Sequence, residues 1–158
     1  MARLVSIDLA PVLQRVATVC ARHPEVLVAW VFGSATDEMR PDSDIDVAVA
    51  LRSEGQEAVS SWGAEGPLEA DLGWWHTHAF HVSVLSEVNA IFAVRALAGA
   101  RLAYCADEGA CTDLLERIAR RNWINGWRYW TAVAEVNGWD PRLIRSASPN
   151  GAASSDNR

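Results

Sequence analysis

Two apolar runs with a glycine between them constrain this chain more than anything else in it. Val26 to Phe32 is almost wholly apolar, as a strand covered on both faces is. Gly33-Ser34 ends that run abruptly. After a polar stretch containing Pro41, a second apolar run follows, opening with Asp44-Ile45-Asp46 and continuing to Leu51. The first glycine lets the backbone turn where a β-carbon would clash. Ser34 then stands at the start of a short helical turn, where free N–H groups and a hydroxyl hold phosphate oxygens. Asp44 and Asp46, two apart in a strand, point to one face.

Two carboxylates side by side at a mostly apolar sheet raise each other's pKa or bind cations. Magnesium suits them, because it takes hard oxygen ligands and is commonly shared between one or two carboxylates and substrate phosphates. Taken singly, Gly-Ser is an ordinary turn and Asp-x-Asp an ordinary surface turn. Only the joint pattern is specific.

The rest of the chain supplies a setting for one domain. With 158 residues, half of them apolar, the chain is long enough for a substantial core. A formal charge of −6 argues against direct, nonspecific binding of nucleic acid, which needs a basic surface. Cys20, Cys105 and Cys111 form no CxxC, so neither a zinc knuckle nor a disulfide framework is signalled. The first residues carry no long apolar run, and a cytoplasmic protein without signal peptide or membrane span is expected.

Periodicity predicts a helix over Ile7 to His23, closed by Pro24. Arg52 to Gly73 reads as a loop with a short helix. A third strand is expected from Ala79 to Leu85, with Phe80, Val82 and Val84 on one face and His81, Ser83 and Leu85 on the other. A helix from Ser86 to Ala98, a strand from Arg101 to Tyr104 and a helical region from Asp107 to Val136 follow. The tail from Ser146 is polar and small, the composition of disorder. Trp123, Trp127 and Trp130 lie at helical spacing, and core packing is their default role, a partner-binding stripe with Tyr129 the alternative.

The stretch Val31-Phe-Gly-Ser, then Arg40-Pro-Asp-Ser-Asp-Ile-Asp-Val47, closely resembles the minimal nucleotidyltransferase family of the DNA polymerase β-like superfamily. It is especially similar to the small antitoxins paired with HEPN-domain toxins. Phe80 to Glu87, Arg95 to Gly99 and Leu102 to Tyr104 follow that family's order, so the resemblance spans roughly residues 7 to 108. It implies an α+β nucleotidyltransferase fold, a mixed sheet flanked by helices, over residues 1–106. A C-terminal helical extension over 107–145 and a tail over 146–158 complete the expected organisation. The implied activity is Mg²⁺-dependent transfer of AMP from ATP to a hydroxyl, with a HEPN-type toxin as the partner and acceptor. Gly33 and Ser34 bind the nucleotide in that reading, and Asp44 and Asp46 hold the metal as catalytic carboxylates. A small-molecule transferase of the aminoglycoside-modifying kind is the enzymatic alternative, although the region after 107 is short for a drug-holding domain. A catalytically degenerate partner-binding protein is the other.

Two departures from the family's pattern bear on activity. An arginine usual after Gly-Ser is replaced by Ala35-Thr36-Asp37, with Arg40 the nearest substitute. The third strand of active members supplies a third carboxylate, and here His81 stands at that position. Histidine is a poor magnesium ligand but a competent base, with an unperturbed pKa of about 6.5. Asp71 is the fallback carboxylate. His76-x-His78 invites a zinc reading, but His81 is three positions on, facing the other way in a regular strand, so a structural role for His76 and His78 is expected.

Overall fold

The computed structural model describes residues 3–52, 63–85 and 90–137, the side chains of 90–91 and 125–137 excepted. A helix, α1 (Leu9–Cys20), leads into strand β1 (Val26–Phe32). Asp8 caps the helix, its carboxylate accepting from the Ala10 N–H at 3.3 Å. A 3-10 turn, Gly33–Thr36, follows β1, and strand β2 spans Ile45–Leu51. Then come α2 (Glu65–Leu72), the short β3 (Trp74–Trp75), β4 (His78–Val84), α3 (Ala90–Leu97), β5 (Arg101–Cys105) and the long α4 (Glu108–Asn137).

The five strands form one sheet in the order β3-β4-β2-β1-β5. The β2–β4 pair is parallel and the other pairs are antiparallel, so the sheet is mixed and the fold is α+β as expected. One face packs on α1 and α2 through Val12, Val16, Val19, Leu68 and Leu72 against Val31, Val47 and Val82. The other packs on α3 and α4 through Ala93, Ala96, Leu114 and Ile118 against Trp30, Ala48 and Leu85. Covering both faces explains why β1 and β2 are nearly continuous in apolar residues. A bulge between Val26 and Val28 puts the consecutive Leu27 and Val28 into the same cluster, which strict alternation would forbid.

α1 is shorter than the periodicity implied, the first residues of the helix expected from Ser86 lie outside those described, and β2 begins at Ile45, leaving Asp44 just ahead of the strand. α2 occupies the end of the stretch read mainly as loop, and β3 was not foreseen: two residues are too few for a periodic signal. Phe80 and Val82 are buried while His81 is exposed, as the alternation required. The connection from Gly33 to Asp44 is not a free polar loop. Met39 is buried, and its backbone exchanges two hydrogen bonds with Val5, at 2.8 and 2.9 Å. Among the described residues no helix is long and apolar enough to cross a membrane. Trp123 and Ile124 stand 39% and 42% exposed, so the described start of the tryptophan stripe is not core. Trp127, Tyr129, Trp130 and the tail from Ser146 lie outside the residues or side chains described.

Candidate active site

β1 and β2 run antiparallel with Phe32 opposite Asp46, so the turn that ends one strand lies over the carboxylate near the start of the other. Gly33 has φ +71°, the left-handed region that favours glycine. A β-carbon there would stand 2.7 Å from Asp46 Oδ2, closer than any side chain tolerates. The glycine therefore serves two needs at once, a backbone turn and room for a carboxylate. Gly33 and Ser34 are exposed, while Ala35 behind them is buried and anchors the turn. Thr36 Oγ1 donates to the Gly33 carbonyl at 2.8 Å and closes it.

On the far side of β2, the parallel pairing sets Asp46 directly opposite His81. Asp46 is half-buried, and Asp44 and His81 are exposed. Burial raises the Asp46 carboxyl above its ordinary pKa; His81 pulls it part of the way back, and the Asp44 charge adds to the rise. Gly33, Ser34, Asp44, Asp46 and His81 thus come together from the three adjacent strands β1, β2 and β4.

The segment before Asp44 is held from β4. His78 is 5% exposed and its Nδ1–H donates to the Ser43 carbonyl at 2.7 Å. Thr77 Oγ1 donates to the Pro41 carbonyl at 3.2 Å. His78 is structural: it fixes the residue next to Asp44. His76 has φ +53° and packs edge-on against Trp75, with ring centroids 5.3 Å apart. Among the described residues, no three His, Cys, Asp or Glu side chains gather closely enough to hold a metal by themselves.

Two substitutes considered from sequence do not arrive. Asp71 is drawn to the turn after α1, where its Oδ2 lies 2.6 Å from His23 Nε2. That contact raises the His23 pKa. Asp71 lines a cleft of about 470 Å³ with Arg15, Arg22 and Trp75 that includes none of Gly33, Ser34, Asp44, Asp46 and His81. Arg40 pairs with Asp42 at 3.2 Å, both exposed.

A carboxylate that no motif announced does arrive. Glu69, on α2, accepts from the Val82 N–H at 2.8 Å, and the same oxygen lies 3.5 Å from His81 Nδ1. β3 pairs with β4 only at Ala79 and His78, so among the described residues Val82 presents its amide to an edge without a strand partner. Glu69 satisfies it. The run Leu68-Glu-Ala-Asp-Leu72 signals a short helix with one apolar side, but nothing local in it names the strand that Glu69 would reach.

A family model described as polymerase beta, nucleotidyltransferase, matches residues 14–109. No curated protein sequence matches the chain. Among solved structures, a chain in a mutant MntA-HpeT toxin–antitoxin complex is similar with a TM-score of 0.50 and 11% identity, over 82% of this chain and 94% of that one. A chain of a toxin–antitoxin complex with AMP-PNP is 15% identical with a TM-score of 0.48, over 78% and 93%. A chain in a complex of tri-AMPylated Shewanella oneidensis HEPN toxin with MNT antitoxin is 14% identical with a TM-score of 0.43, over 74% and 83%. At these identities the likeness is one of fold.

Proposed function

This chain belongs to the polymerase beta nucleotidyltransferase family, and from that premise we propose that it transfers AMP from ATP to a hydroxyl acceptor with Mg²⁺. The observation that carries the reading is the packing of the exposed Gly33-Ser34 turn directly on Asp46, with Asp44 two residues away. The turn's N–H groups and the Ser34 hydroxyl receive the triphosphate. Asp44 and Asp46 are the metal ligands.

The donor set fits that ion. Two carboxylates completed by substrate phosphates is an ordinary magnesium arrangement, and no third protein ligand is required of it. Burial raises the Asp46 pKa and so disfavours its charged form, an effect that a nearby cation opposes. When bound, the ion neutralises charge on the phosphates under attack. In the transfer, the acceptor oxygen bonds to the α-phosphorus as the bond from that phosphorus to the bridging oxygen breaks. Pyrophosphate leaves with the electron pair, and His81 takes the hydroxyl proton.

The family resemblance, together with a fold shared with a chain of a toxin–antitoxin complex, supports a partner toxin protein as acceptor and an antitoxin role for this chain. Residues 1–106 are the transferase domain in this proposal, and α4 belongs to the extension. Calorimetry with Mg·ATP tests the site: binding by the wild type that Asp44→Asn abolishes is expected. Label from α-labelled ATP should then pass to a HEPN-type partner when one is supplied. Mg·ATP binding without label transfer to any acceptor would favour a degenerate, partner-binding protein, as the His81 replacement allows.

A further inference from the structure

Glu69 has more to do at this site than cap a strand edge. His81 stands 59% exposed, so packing alone does not fix its ring. A neutral imidazole carries its proton on one nitrogen, and the partner of that nitrogen decides which. The only group the structure sets beside Nδ1 of His81, among the described residues, is the Glu69 carboxylate at 3.5 Å. That carboxylate is itself held, because its Oε1 accepts from the Val82 N–H at 2.8 Å. Val82 follows His81 in β4, so the amide that orients Glu69 and the ring that Glu69 faces move as one rigid unit. Across the sheet the same histidine is in register with Asp46. The three side chains therefore run in order from α2 over β4 to β2.

We propose that Glu69 is a positioning residue, holding His81 with its proton on Nδ1 so that the Nε2 lone pair is left for the acceptor hydroxyl. The assignment rests on the transferase reading above and adds the device that makes a histidine serve where relatives use a carboxylate. It also explains why His81 need not be a metal ligand: its near partner is Glu69, and among the described residues no three-ligand cluster forms around it. The proton balance is simple. The hydroxyl proton passes to Nε2 as oxygen bonds to the α-phosphorus and pyrophosphate departs, and Glu69 stays ionised beside the resulting imidazolium, as an orienting carboxylate does in a hydrolase triad.

Two variants separate this role from edge capping. Glu69→Gln keeps an acceptor for the Val82 amide but weakens the hold on the ring, whereas Glu69→Ala removes both. Long-range ¹⁵N–¹H correlation spectra of the full chain, above the ordinary histidine titration range, report the His81 tautomer directly. The Nδ1–H form is expected in the wild type, a mixture in Glu69→Gln, and mainly Nε2–H in Glu69→Ala. With an acceptor in hand, kcat should fall about 10-fold or more in the same order, with KM for ATP unchanged. In a His81→Asn background the Glu69 substitutions should have no further effect on kcat. An Nε2–H ring in the wild type, a tautomer indifferent to both variants, or losses that multiply with His81→Asn would each overturn the proposal. The spectra need no turnover. An Nδ1–H ring that responds to Glu69 in a protein that transfers nothing would sink the AMP-transfer reading and leave the ring-holding role standing.

Discussion

Gly33 and Asp46 share one small volume: a β-carbon on Gly33 would meet Asp46 Oδ2 at 2.7 Å, and the glycine's φ of +71° is itself unfavourable for any other residue. Gly33→Ala should therefore cost about 1–2 kcal/mol in backbone strain and also displace the carboxylate. Gly73 provides the control, since its φ is +68° but nothing lies within 4 Å of a β-carbon there. Urea unfolding should show a loss of stability for both Gly33→Ala and Gly73→Ala, while only the former loses Mg·ATP binding in calorimetry. Equal binding by the two variants would remove Gly33 from the site.

Asp46 links the site to stability through pH. Its folded-state pKa is raised, chiefly by burial, above the ordinary value of 3.8. The folded protein then binds more protons than the unfolded chain, so this group's contribution to stability falls as pH rises from the ordinary value through the raised one. Asp46→Asn escapes that loss. Its Tm without metal should exceed the wild type's at neutral pH, and the gap should close as the solution is made acidic. A gap that widens toward acid would contradict the assigned burial of this carboxyl.

His78 is expected to matter for folding before chemistry. Removing its side chain with His78→Ala leaves the Ser43 carbonyl without its partner and opens a hole in a buried place. A loss of about 1–3 kcal/mol should follow from the unmade hydrogen bond alone. Mg·ATP affinity should fall too, because Ser43 precedes Asp44. Thermal unfolding with a binding isotherm checks both, and an unchanged isotherm would mean that the Ser43 anchor does not set the position of Asp44.

Cys105 and Cys111, six residues apart, meet where β5 turns into α4, with Sγ atoms 2.7 Å apart. Burial, with help from Cys105, pushes the Cys111 thiol up to about 11, so it stays protonated at neutral pH and the less buried Cys105 meets reagents first. Oxidised glutathione should join the pair by thiol–disulfide exchange, releasing two equivalents of glutathione. Intact-mass measurement should show the loss of two hydrogens, absent in Cys111→Ser, where Cys105 instead retains a glutathione adduct. Stable mixed disulfide on the wild type would show that the two sulfurs do not reach one another.

Much of this site was legible because its signals are local. The buried strands Val26–Phe32 and Ile45–Leu51 declare themselves as apolar runs, and the glycine at 33 marks a turn that backbone sterics demand. Period-two alternation put His81 on the face away from Phe80 and Val82, and the parallel register then set it beside Asp46. The helix around Glu65–Leu72 was weaker in sequence, because eight residues beside a glycine-rich stretch carry little periodicity.

What packing alone decided is which distant groups meet. Asp71 and Glu69 lie on the same short helix, two residues apart and therefore on different sides of it. One is taken by His23, just past the end of α1, and the other by the edge of β4. A count of nearby carboxylates favours neither, since the outcome depends on how α2 rolls onto the sheet, which Leu68 and Leu72 settle by burial. The sequence by itself determined a glycine turn after β1, a carboxylate pair and a histidine on the strand face away from Phe80 and Val82, through rules that act over a few residues. Only the tertiary structure supplied Glu69 as that histidine's partner, because a hydrogen bond between a helix and a strand edge is written in the packing of the core between them.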